Sequence, residues 1–311
     1  MKYSRLIFLM LMLTFSLNCS QKKDNMQNKI EINSKNIVEE ITRKVKHYDY
    51  EPRYFIEIGQ NMGNAEIFVN GLPVYRNFEE ESVSTSVSIN HCIFRSGVQK
   101  ITYKIYSDSP DHAFLEINVK EFDNKKHDAP GKEVIMHRSQ ALVKNTDYNI
   151  KPYEYTFEFK AAVPYQLDQP KEYKSLKKLG NEVLNEELKE RYSKIKSLYE
   201  NKDIDGLARA VYPSMSNQYI SEYNDSTVNI GWNELTEVYK NSTLKMQDAE
   251  SYDTEISEDG KFARFIQKST DPRLKHRSVL WGLYKVGGKT KAMFNSSSFY
   301  LTEGKTKLEI Y

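Results

Sequence analysis

The sequence predicts a two-domain α+β protein, an N-terminal antiparallel β-sandwich followed by a domain in which helices precede an antiparallel sheet. Three observations carry this. From Arg53 to Lys160 apolar residues recur at every second position, the period of strands with one buried face. Pro164 and Pro170 then bracket an abrupt shift in composition, and up to Pro213 the apolar spacing becomes helical. Beyond Lys240 short strand-like runs return, separated by glycine turns. The chain has 311 residues, 28% charged and 12% aromatic, which suits a folded body of two domains rather than a disordered one.

Residues 1–18 read as a signal peptide. Lys2 and Arg5 form a basic start, Leu6 to Leu13 is unbroken apolar sequence, and polarity returns at Asn18. The run is well short of the ~20 residues that span a bilayer. Cys19 stands where it ends, preceded by Ser16, Leu17 and Asn18 and followed by Ser20. This stretch resembles the lipobox of bacterial envelope lipoproteins of the Bacteroidetes type, in a loosened form with Ser16 where leucine is usual and Asn18 where glycine or alanine is usual. The resemblance implies that Cys19 becomes the lipid-bearing N-terminus. It also implies an outer-membrane address on the periplasmic or surface side. Two or three acyl chains hold such a protein durably, since each buried methylene is worth ~0.8 kcal/mol.

Residues 19–50 are expected to be lipid attachment and tether. Ser20 to Asn36 is rich in Lys, Asn and Gln, while Ile37, Ile41, Val45 and Tyr48 have a spacing that fits a helix or an edge segment. Residues 51–163 are the expected sandwich. Phe55–Ile58 and Ala65–Val69 read as strands, and Asn70-Gly71 is a strong hairpin signal. Ile89–Phe94 reads as a further strand containing Cys92. Ile101, Tyr103 and Ile105 alternate with Thr102, Lys104 and Tyr106; later alternations centre on Leu115–Val119 and Tyr155–Phe159. Asp123 to Asn149 interrupts the pattern as a long loop or hairpin. The span resembles an immunoglobulin-type sandwich without its paired cysteines.

Residues 171–311 form the expected second domain. Leu176 to Tyr199 marks a helix, Asp203 caps a second that Pro213 should stop, and a third runs from Trp232 to Lys240. Strands are expected at Ala249–Ile256, Phe262–Ile266, Val279–Val286 and Lys291–Ser297. This order, with the Asp203, Asp205, Gly206, Leu207 helix entry, resembles the NTF2-like cone fold over roughly residues 172–298.

Charge excludes some partners. Of 45 Lys and Arg, Lys2 and Arg5 leave with the leader, so the mature chain balances its 43 Asp and Glu, which argues against nucleic acid. Cys92 has no partner if Cys19 carries lipid, and reads as a buried thiol. His91, His112, His127 and His137 have no metal-ligand spacing, and no nucleophile elbow, phosphate loop or dinucleotide fingerprint occurs, so no metal, cofactor or catalytic set is expected. Arg273, Lys275, His276 and Arg277 form a basic loop, the candidate anion or partner contact. Tyrosines cluster at 48, 50 and 54 and at 148, 153 and 155, suiting strand packing or recognition of protein or glycan. The resulting expectation is a membrane-anchored lipoprotein that binds a protein or glycan without catalysis. The alternatives are a periplasmic hydrolase or isomerase with a C-terminal pocket, and an immunity-type protein neutralising a toxin.

Overall fold

The computed structural model describes residues 30–126, 129–167 and 173–311, so Cys19 and the expected signal peptide, and with them His127, lie outside the described residues. It is a sheet-rich α+β fold of mostly antiparallel strands, and Ile32–Tyr311 form one compact unit. None of the described helices is long and apolar enough to cross a membrane.

Eight strands build the first half: β1 (Pro52–Asn61), β2 (Asn64–Val69), β3 (Leu72–Asn77), β4 (Ser82–Ser88), β5 (Gly97–Tyr106), β6 (Phe114–Asp123), β7 (Lys132–Arg138) and β8 (Tyr153–Ala161). They form two four-stranded sheets, β4-β1-β6-β7 and β3-β2-β5-β8. The inward residues of both sheets, including Ile56, Ile58, Ile67, Ile101, Tyr103, Ile117 and Val119, share one core. The strand order is nested, β1 with β6 in one sheet and β2 with β5 in the other. It therefore differs from the ABED and CFG order of an immunoglobulin domain while keeping the two layers. Asn70 and Gly71 both take positive φ, +50° and +82°, as the tight hairpin between β2 and β3 requires. The segment from Asp123 resolves as a hairpin, since β7 pairs with β6.

One expected strand is absent. Asn90–Cys92 is a 3-10 turn because the Asn90 side chain takes over backbone pairing: its Oδ1 accepts from the Tyr54 N–H at 2.6 Å, and its amide donates to the carbonyls of Pro52 and Ser221, each at 2.9 Å. Cys92 stays a free thiol, fully buried, and burial pushes its pKa up.

The helices are α1 (Ile37–Thr42), α2 (Asn181–Glu200), α3 (Ile204–Ser221) and α4 (Val228–Lys240). The chain is already folded before residue 50. Ile37 and Ile41 of α1 are fully buried against Ala208, Met215, Tyr219, Val228 and Trp232, and the Ser34 N–H donates to Asp205 at 2.8 Å. Asp203 caps α3 as expected, accepting from the Gly206 N–H at 2.8 Å. Pro213 does not stop it; α3 continues to Ser221 because Met215 and Tyr219 beyond the proline bury in the same cluster, which offsets the lost hydrogen bond.

The C-terminal strands are β9 (Lys245–Gln247), β10 (Tyr252–Ile256), β11 (Ala263–Gln267), β12 (Trp281–Val286), β13 (Lys289–Phe294), β14 (Phe299–Tyr300) and β15 (Glu309–Ile310). The single curled meander expected of a cone fold is replaced by two sheets, β10-β11-β14-β15 and β13-β12-β9, touching through the Ile266–Ser278 bridge. The chain end causes this. Fully buried Phe299 sits edge-on to Tyr192 at 5.1 Å, with Leu301 and Leu308 buried in the same cluster, which seats β14 beside β11. The space between α2 and these strands is filled by Leu184, Leu188, Tyr192, Phe265 and Leu280.

Candidate functional site: a charged cleft at the joint of the two halves

The alternation that sends Ile67, Ile101 and Tyr103 into the sandwich sends Glu66, Phe68, Thr102, Lys104 and Tyr106 to the opposite face of β2 and β5. That face is covered. Glu66, Phe68, Thr102 and Tyr106 are all buried beneath the β10–β11 hairpin and the loop 271–277. Charges on this face must be paired there, because an unpaired buried charge costs several kcal/mol, on the order of 3–5.

The pairing runs along the whole joint. Glu255 accepts from Arg264 Nε at 2.6 Å and Nη2 at 2.5 Å, with Lys104 Nζ at 3.7 Å. Lys104 and Arg264 also lie over the Phe68 ring, at 5.2 and 5.7 Å. In the turn between β10 and β11, Glu258 accepts from the hydroxyls of Thr102 and Thr156, each at 3.1 Å. That turn presses close to the β2–β3 hairpin: a Cβ on Gly71 would stand 2.8 Å from Ser257 Cβ.

Between these contacts lies a half-open cleft of about 740 Å³. One wall carries Phe94, Arg95, Val98 and Lys100, the other Ser257, Glu258, Asp259 and Lys261. The Lys261 ammonium sits 4.8 Å from the Phe94 ring centre and 5.3 Å from those of Tyr173 and Phe262. Burial lowers its pKa; Arg95 adds to the effect and Asp259 opposes it. Three of the four lining carboxylates act as structural acceptors, while Glu154 is exposed. Glu255 and Glu258 are held as described, and Asp259 accepts from Ser257 Oγ at 2.6 Å and the Lys261 N–H at 3.0 Å.

The basic loop predicted from sequence docks at the far end of the same joint. His276, in the left-handed region at φ +59°, has Nδ1 3.0 Å from Glu66 Oε2, and the Tyr106 hydroxyl donates to that oxygen at 2.8 Å. Burial alone would raise the Glu66 pKa; hydrogen bonds from His276 and Tyr106 and the charge of Arg264 outweigh it and hold the carboxyl below its ordinary range. Lys275 Nζ lies 4.8 Å from the Phe78 ring centre, and Arg76 donates to the carbonyls of Pro272 and Lys275. Arg277 reaches Glu79 at 3.5 Å, while Arg273 pairs within its own loop with Asp271 at 2.7 Å. Much of this loop's cationic and aromatic chemistry is therefore spent on the chain's own sheet.

The tyrosine clusters are mostly structural too. Tyr54 is fully buried and donates to Glu121 at 2.6 Å, and Tyr50 bonds the same carboxylate. Tyr153 and Tyr155 pack on Tyr103, whose hydroxyl is 2.9 Å from His137 Nε2. Among the described residues no group of His, Cys, Asp and Glu has the geometry of a metal site. Sequence reasoning missed Glu66, Arg76, Glu255, Glu258 and Arg264. Alternation points the strand residues among them away from a core, and carries no sign that a second surface will cover them. Comparison with protein-family models, curated proteins and solved structures finds no match.

Proposed function

We propose that this chain is a lipid-anchored protein of a bacterial cell envelope, tethered through Cys19, whose folded body binds a protein or glycan partner in the cleft at the joint, without catalysis. The observation that carries the binding reading is the cleft's lining: a half-open volume of about 740 Å³ with cations, carboxylates of which Glu255, Glu258 and Asp259 are already engaged as acceptors, and phenylalanine rings. Such a wall recognises a polar ligand with an apolar face. The interior of the C-terminal half, where a hydrolase or isomerase pocket would lie, is packed with Leu, Tyr and Phe, so the joint is the favoured site.

Two measurements test the two parts. Intact-mass analysis of the native product should give a chain beginning at Cys19 with acyl mass; an unacylated chain that retains residues 1–18 refutes the anchor. For the cleft, Val98→Trp places a large ring at an exposed lining position. It should weaken binding to whichever glycan or peptide of an array the wild type retains by at least tenfold, with the unfolding midpoint unchanged. Undiminished binding by the variant moves the site elsewhere, and a wild type that retains nothing removes the binding reading.

A further inference from the structure

Among the described residues the four sheets have eight edges, formed by β3, β4, β7, β8, β9, β10, β13 and β15. Seven of these strands carry a charged residue, and β3 a proline besides, which blunts an edge against further pairing. β4 alone carries neither. Its sequence, Ser82-Val83-Ser84-Thr85-Ser86-Val87-Ser88, is uncharged throughout, and Ser82, Ser84, Thr85 and Ser86 are exposed.

The direction of its free backbone groups follows from the register. The Ile89 N–H donates to the Tyr54 carbonyl at 3.0 Å, which makes Tyr54/Ile89 a bonded pair. Bonded pairs alternate along an antiparallel ladder, so Val87, Thr85 and Val83 bond to Ile56, Ile58 and Gln60. The N–H and C=O groups of Ser82, Ser84, Ser86 and Ser88 therefore point away from β1, and no described residue bonds to them.

We propose that β4 pairs antiparallel with β4 of a second copy of this chain, about a two-fold axis through Thr85. The strand reads the same in both directions about that residue, so Ser84 bonds Ser86 of the copy, Ser82 bonds Ser88, Val83 lies beside Val87, and Thr85 meets itself. A one-residue slip sets these outward groups opposite residues whose own N–H and C=O point back to β1, so no ladder forms. The two β4-β1-β6-β7 sheets become one of eight strands.

A single edge is a small interface, so sedimentation of the chain should show a dimer with a Kd of roughly 10 μM to 1 mM. T85K and T85E each place like charges across the axis and should weaken the dimer at least tenfold, while an equimolar mixture of the two should restore it. S86P removes only an outward N–H and should be monomeric with an unchanged unfolding midpoint. A monomer at every concentration up to roughly 1 mM overturns the proposal, whether or not an extended peptide then binds the edge. So does a dimer indifferent to T85K and S86P, or a mixture of T85K and T85E that stays monomeric.

Discussion

Glu66→Gln tests whether the joint is held by charge. Glu66 is buried, accepts from Tyr106 at 2.8 Å and lies 3.0 Å from His276 Nδ1 on the same oxygen, with Arg264 near. Each hydrogen bond to a charged group contributes about 1.5–3 kcal/mol. Glutamine keeps the shape and one carbonyl acceptor, so the loss is about one such bond together with an unsatisfied donor, or about 3 kcal/mol, at the low end of breaking a buried pair. For a folded body of this size that corresponds to a drop of roughly 5 °C in the unfolding midpoint. The effect depends on pH with a definite sign. The folded-state pKa of Glu66 lies below its unfolded value, so its stabilisation is complete above an unfolded pKa of about 4.3 and drains away as pH falls through the folded value. Thermal scans at neutral pH and on acidification below about pH 4 should show the gap between wild type and E66Q closing with acid. His276→Gln in the same background should be non-additive by about 1 kcal/mol or more. A loss under about 1 kcal/mol, or a gap that does not narrow with acid, refutes the account of the joint.

Ile41→Ala should cost about 2–5 kcal/mol in urea unfolding and speed hydrogen exchange over residues 32–45, because Ile41 is fully buried against α3 and α4. Asp203→Ala should cost about 1 kcal/mol by removing the cap on the Gly206 N–H. The Cys92 thiol, fully buried and pushed up in pKa, should react with a maleimide only after unfolding; rapid labelling of the native chain would contradict its placement.

The sandwich was legible in the sequence because its strands obey a local rule. Ile101, Tyr103 and Ile117 stand between polar neighbours, and each is buried as that period requires. The Asn70-Gly71 turn and the Asp203 cap were legible for the same reason, since each is decided within a few residues. What was not legible was decided at long range. Pro213 sits inside α3 because Met215 and Tyr219 find α1 and α4, and Asn90 leaves the ladder because Ser221, 131 residues away, supplies a partner for its amide. Ile37, Ile41, Val45 and Tyr48 fitted a helix or an edge segment equally, and the choice was made at long range too, since α3 and α4 supply the layer on which Ile37 and Ile41 dock as α1.

The joint shows most clearly where local reading stops. Thr102, Lys104 and Tyr106 form the polar half of an alternating strand, and in a two-layer sandwich that half would face water. Here it becomes the middle of three layers, with β2 and the second half of β5 buried on both faces. An apolar face would have bound the second half in many orientations, whereas Glu66 and Glu255, each held by a partner in its own half, gain their cross-joint partners His276 and Lys104 only in one orientation. The orientation of the two halves, and with it the width of the cleft between Phe94 and Lys261, is thus set by hydrogen-bond geometry together with the apolar contacts of Phe94, Phe262 and Tyr311. A ligand in the cleft meets walls already set, so its affinity should respond to side chains on those walls and hardly at all to hinge substitutions outside them.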